Sequence, residues 1–120
     1  MHKMAVAITL AISLAAPASS AFADAFGAIA YSPSTHAIGT ARNGITRRNA
    51  ETTALKRCRE KAADCRLVNW FGNACGALAA GPKGWGGHWG VGPGEAKKRA
   101  LWMCSQKSSG CQILAVECTR

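Results

Sequence analysis

Six cysteines, Cys58, Cys65, Cys75, Cys104, Cys111 and Cys118, stand in a chain of 120 residues, and their placement limits the fold more than any other feature. Cys58-x6-Cys65 returns as Cys104-x6-Cys111. Ala50, Ala54 and Leu55 precede the first pair at the spacing with which Ala96, Ala100 and Leu101 precede the second. Upstream, Phe26-Gly27-Ala28-Ile29-Ala30 returns as Cys75-Gly76-Ala77-Leu78-Ala79, each followed by a proline turn, Ser32-Pro33 and Gly81-Pro82. The offset is 49 residues at the start and 46 at the end, so the second copy lacks three residues in its middle. Two copies, 24–72 and 73–120, therefore fill the chain beyond residue 23 as one duplicated domain.

Each copy carries the same local signals. Ala25 to Ser32 is small, β-branched and alternating, and His36 to Arg42 follows a Ser-Pro-Ser-Thr turn, which predicts a hairpin. Thr46 suits a helix N-cap, and Ala50, Ala54, Cys58 and Ala62 recur every four residues on one face, which predicts a helix over Thr46–Lys61. Cys65 to Phe71 then has strand composition. In the second copy the strands fall at Ala74–Ala80, around Trp85–Val91 and at Gly110–Cys118. Pro93 sits in the first-turn position of a helix that includes Glu95–Lys107. The order is ββαβ-ββαβ: an α+β fold with an antiparallel sheet and two helices.

Six cysteines allow fifteen pairings, and the repeat narrows them. In each copy one cysteine ends the helix and another, seven residues on, starts the next strand, so the turn between them brings Cys58 to Cys65 and Cys104 to Cys111. Cys75 and Cys118, on the first and last strands of the second copy, are left for each other. Zinc fits badly, because there is no Cys-x-x-Cys and His36 and His88 lie far from the cysteine pairs.

Met1 to Met4 is basic, Ala5 to Ala16 is apolar and small, and Ala21-Phe22-Ala23 has the pattern of a signal-peptidase site. The apolar run of 12 residues is too short for a bilayer that needs about 20, so the expectation is a signal peptide over 1–23 and not an anchor. Export to the periplasm or beyond suits disulfides. Lys3 is the one basic residue lost on cleavage, which leaves 14 Lys and Arg against 6 acids.

The opening Ala25-Phe26-Gly27-Ala28-Ile29-Ala30-Tyr31-Ser32 resembles that of a family of small exported proteins from mycobacteria and proteobacteria, catalogued as a domain of unknown function. Ala54-Leu55-x2-Cys58, Cys65-Arg66-Leu67-Val68 with Trp70-Phe71, Asn73-Ala74-Cys75-Gly76-Ala77-Leu78-Ala79, Trp85-Gly86 and the closing cysteines match as well. The resemblance implies secretion, a duplicated disulfide-linked α+β build and, for some members, action as host-directed effectors. It implies no enzymatic activity. Asn49 departs from the pattern, since such helices carry Glu there after a Ser or Thr cap, and the capping box is expected to be weaker.

Catalytic chemistry finds little support. Glu51, Glu60, Asp64 and Glu95 lie among helical cations, no carboxylate pair is marked for acid–base work, and neither histidine has a Ser or Cys nucleophile beside it in sequence. The seven glycines between Gly81 and Gly94 match no phosphate loop. They suit a hairpin needing positive φ or close backbone approach. No catalytic, cofactor or metal site is expected.

Two features point to binding. Arg48, Lys56, Arg57 and Arg59 fall opposite the alanine stripe of the first helix, and Lys97, Lys98 and Arg99 crowd the second. Such faces either merely solubilise or meet an anionic polymer, lipid or protein. No motif indicates sequence-specific reading of nucleic acid. Trp85 and Trp89, four apart on a strand, share a face that either packs in the core or stacks on sugars, whereas Trp70 is expected in the core. Trp102 takes the place of Lys56 in the second helix, away from its alanine stripe, so it is expected to be exposed beside Lys98 and Arg99. The expected function is a small secreted, basic, non-enzymatic binding module. The alternative is a periplasmic inhibitor or immunity protein against a wall hydrolase or toxin, and a small hydrolase comes third.

Overall fold

The computed structural model describes residues 24–119 and the isolated positions 3–5, 7 and 9, so Ala23 and most of the expected signal segment lie outside the described residues. Strands β1 (Phe26–Tyr31) and β2 (Ile38–Gly44), helix α1 (Arg47–Arg59) and strand β3 (Arg66–Gly72) form the first half. Strands β4 (Cys75–Gly81) and β5 (Gly84–Gly90), helix α2 (Pro93–Ser105) and strand β6 (Gln112–Cys118) form the second. Each half is ββαβ. The six strands divide into two antiparallel sheets, ordered β2-β1-β3 and β5-β4-β6. The two sheets face each other and a helix covers the outer face of each, which makes four layers.

Small residues let each helix lie close to its sheet. Ala50, Ala54 and Cys58 meet Ala28, Ala30 and Ala41, and Ala96, Ala100 and Cys104 meet Cys75, Ala77 and Ala79. Gly39 and Gly86 complete the approach, because a Cβ on either would strike the backbone of α1 or α2. Between Gly81 and Gly94 no glycine has positive φ, so close approach accounts for this region's glycines at Gly81, Gly84, Gly86, Gly87 and Gly90.

The space between the sheets holds Ile29, Tyr31, Phe71, Ala74 and Leu78. Phe71, 1% exposed, lies over both Gly27 of β1 and Gly76 of β4, where any Cβ would collide with its ring. Asn69 reaches across the same interface, donating from Nδ2 to Ala77 O at 3.2 Å and to His88 O at 2.8 Å.

All three expected disulfides are present: Cys58–Cys65, Cys75–Cys118 and Cys104–Cys111. The first helix is capped by Thr46, whose Oγ1 accepts from Asn49 N at 3.0 Å. Asn49 is a fuller substitute for Glu than its length suggests. Its Oδ1 accepts from Ile45 N at 3.4 Å, as Glu95 Oε2 accepts from Val91 N at 3.3 Å in the second half. The short carboxamide thus caps the same position in the first half as the longer carboxylate in the second.

The β1–β2 turn is fastened to the segment entering β3. Asp64 accepts from the Ser32 hydroxyl and from Ser34 N, and Ser32 Oγ itself accepts from Thr35 N at 3.2 Å. Hydrogen bonds from Ser32 first, then Ser34, hold the Asp64 carboxyl below its ordinary value near 3.8. A lowered folded-state value means the staple is fully present above the ordinary value and is lost as pH falls through the depressed one. Asp64→Asn is therefore expected to flatten the dependence of stability on pH below about pH 4. Urea midpoints at neutral and strongly acidic pH check this, and an unchanged acid slope in the variant would assign that slope to other carboxylates.

Candidate binding surface

Register decides where each aromatic side chain goes. On β5, Trp85 lies opposite Ala80 and Trp89 opposite Gly76, so both are on the face turned toward the first sheet. They are nevertheless at opposite ends of it. Trp85 is half-buried, its ring edge-on to Tyr31 at 5.9 Å and Lys107 Nζ 5.4 Å from its centroid. Trp89 is 46% exposed at the other end. They share the expected face but divide its two expected uses, Trp85 packing at one end and Trp89 lying open at the other.

Trp70 is the larger departure. It is 38% exposed and not in the core. The β1–β3 pairing changes register between Ile29 and Ala30, leaving Val68 as the extra residue of a bulge. Beyond it the alternation is inverted: Phe71 turns into the inter-sheet core, and Trp70, opposite Ala28, turns to the α1 side. There it meets Phe26 at 6.5 Å between ring centroids, and the Arg47 guanidinium stands 4.4 Å from the Trp70 centroid.

Trp70 and Trp89, from different sheets, line one open cleft of about 400 Å³ together with Phe71 and Gly72. Each indole is held by an arginine from a helix. Arg47 covers Trp70, and Arg99 lies 5.5 Å from the Trp89 centroid while Nη1 donates to Trp89 O at 3.3 Å. Each arginine is in turn paired on its own helix: Arg47 Nε with Glu51 Oε1 at 3.1 Å, Arg99 Nη2 with Glu95 Oε1 at 2.5 Å. Arg99, expected beside Trp102, stacks on Trp89, which lies on the strand beneath the helix. Trp102 is 62% exposed and borders a shallow hollow with Glu95, Lys98 and Arg99. Arg99 therefore touches both Trp89 of the cleft and the hollow beside Trp102.

The other sheet edge offers an internal control. Where β3 and β5 meet, Trp70 and Trp89 form the cleft. At the topologically equivalent meeting of β2 and β6, Arg42 Nε pairs with Glu117 Oε1 at 3.6 Å. The same architecture thus carries a solvent-exposed ion pair at one edge and open aromatic side chains at the other.

Arg48, Lys56 and Arg59 are exposed on α1, and Lys97 and Lys98 on α2, with no ion pair engaging them among the described residues. Arg57 of α1 and Lys61 just beyond it instead reach β2, donating to Thr40 O at 2.6 Å and Ile38 O at 3.3 Å. The histidines are bonded locally, His36 Nδ1 with the Tyr31 hydroxyl at 3.3 Å and His88 Nδ1 with Trp89 N at 2.9 Å. No helix among the described residues is long and apolar enough to cross a membrane.

Comparison with known proteins gives a family but no activity. Protein Rv1269c of Mycobacterium tuberculosis and Protein Mb1300c of Mycobacterium bovis are each 43% identical to this chain over 81 residues. Those alignments cover 66% of this chain and 60% of each relative, so the match spans less than two thirds of their length. No solved structure matches. The profile of a domain of unknown function, DUF4189, matches residues 26–118, and the chain belongs to that family.

Proposed function

We propose that the protein is a secreted, non-enzymatic binding module whose partner is anionic. One observation carries the reading: exposed tryptophans with arginines stacked on them, Trp70 and Trp89, line an edge that on the molecule's other side carries the Arg42–Glu117 pair, and Trp102 stands exposed on the adjoining helix. Exposed indole surface costs solubility, whereas aromatic and arginine side chains dominate the energetics of interfaces. The unpaired cations Arg48, Lys56, Arg59, Lys97 and Lys98 on the outer helix faces supply the long-range attraction. Export, by the leader-like residues 1–23, places the module where three disulfides persist.

Trp102 tests the reading directly. At 62% exposure it adds little to the core, so Trp102→Ala is expected to leave the melting temperature nearly unchanged. It is also expected to weaken the partner complex by more than about 1 kcal/mol. The oxidised domain, wild type and variant, is used to capture partners from host and bacterial extracts, and the captured complex is then titrated. A variant that unfolds, or that binds as tightly as wild type, removes Trp102 from the interface. Capture of a wall hydrolase or toxin would instead make the protein its inhibitor.

A further inference from the structure

The binding-module reading leaves the nature of the partner open, and the Trp70–Trp89 cleft narrows it; the inference below rests on that reading. The cleft is lined by two indoles, Phe71 and Gly72, without an ionisable side chain. Beside it, over the two indoles, stand not free cations but two arginine–glutamate pairs, Arg47–Glu51 and Arg99–Glu95. Their charges compensate, yet they still present guanidinium N–H donors next to carboxylate acceptors. A simple anion would compete with a glutamate already in place for each guanidinium. A purely apolar chain would desolvate both pairs and give nothing back. Hydroxyl groups suit these pairs best, because each donates and accepts.

A pyranose ring combines these requirements. Its C–H face lies against the electron-rich face of an indole, and its hydroxyls project from the edge toward the pairs. The cleft, about 400 Å³, has the size of a small-ligand site, for which volumes of about 300–1,000 Å³ are usual. Among the described residues, charge without an ion-pair partner lies outside the cleft, on Arg48, Lys56 and Arg59 of α1 and on Lys97 and Lys98 of α2. That separation matches a chain that is sugar at the point of grip and anionic along its length.

We propose that the cleft between Trp70 and Trp89 binds a sugar ring of an acidic polysaccharide. The ring stacks on indole, its hydroxyls engage the Arg47–Glu51 and Glu95–Arg99 pairs, and the basic helix faces draw in the rest of the polymer.

Calorimetric titration of the disulfide-bonded domain with polygalacturonate, alginate and hyaluronate, and with poly-L-glutamate as an anionic chain without sugar, tests this. At least one polysaccharide is expected to bind. Trp89→Leu, which keeps an apolar side chain but no π face, is expected to weaken that binding about tenfold, while Trp89→Phe restores most of it. Polyglutamate is expected to bind all three proteins alike, through the helix faces. Equal polysaccharide affinity in the leucine variant overturns the proposal. So does a parallel loss of polyglutamate, which would make the cleft a general anion or peptide site. If wild type binds polyglutamate but none of the polysaccharides, the sugar assignment fails and the anionic binding module stands. If it binds neither, both fail.

Discussion

Phe71→Ala is expected to cost the domain about 3–5 kcal/mol, the range for deleting a buried phenylalanine ring. At most positions part of such a loss is recovered because neighbours collapse into the space. Here the ring lies against Gly27 and Gly76, which have no side chains to move, and against strands pinned in their ladders. Urea denaturation of the oxidised protein measures the loss. A cost below about 1 kcal/mol would mean that the two sheets can close over the gap, and that the ring is filler between them. The double variant Phe71→Ala with Gly76→Ala puts one methyl back into the gap and is expected to recover part of the loss.

The second prediction concerns the longest covalent loop. Cys75 and Cys118 are register partners on β4 and β6 and enclose a separation of 43 residues, against 7 for each of the other bridges. By loop-closure entropy, replacing both by alanine is expected to cost about 4 kcal/mol, and replacing Cys104 and Cys111 about 2.5 kcal/mol. In a domain this small either loss is a large share of the total stability. Denaturant midpoints of the two double variants give the comparison. If removing the short loop costs as much as removing the long one, local packing around the cysteines outweighs chain entropy.

Element order and cysteine pairing follow from local signals. The four-residue recurrence of alanine, Thr46 and Pro93 mark two helices, and the Cys-x6-Cys spacing ties each helix end to the following strand. The division of six strands into two facing sheets has no such local mark, because alternation identifies a strand's two faces but not the layer each face meets. Trp70 shows the consequence. Simple alternation along β3 cannot anticipate the Val68 bulge, and one extra residue exchanges the roles of Trp70 and Phe71. The cleft was out of reach for a related reason: its two tryptophans come from different sheets, and only tertiary packing brings them together. Trp102 is the opposite case, since helical periodicity alone fixes its side. The Ser32–Asp64 staple left no signal, its partners being 32 residues apart in separate loops.

No disulfide joins the first half of the chain to the second; every bridge closes within one half. Apart from the single peptide link between Gly72 and Asn73, what holds the halves together is non-covalent: the Phe71 wedge, its neighbours Ile29, Tyr31 and Leu78, Asn69 reaching to the facing sheet, and the Arg42–Glu117 pair. Oxidation therefore cross-links each half without fixing one to the other, and separation of the two halves is the opening motion that the disulfides do not resist. The aromatic cleft exists only while they are docked, since Trp70 belongs to one unit and Trp89 to the other. Any ligand that touches both indoles acts as a clamp: it binds the closed form alone and suppresses opening in proportion to its occupancy. A protein built this way gains resistance to proteolysis from any ligand that bridges the two indoles, and loses that resistance on release.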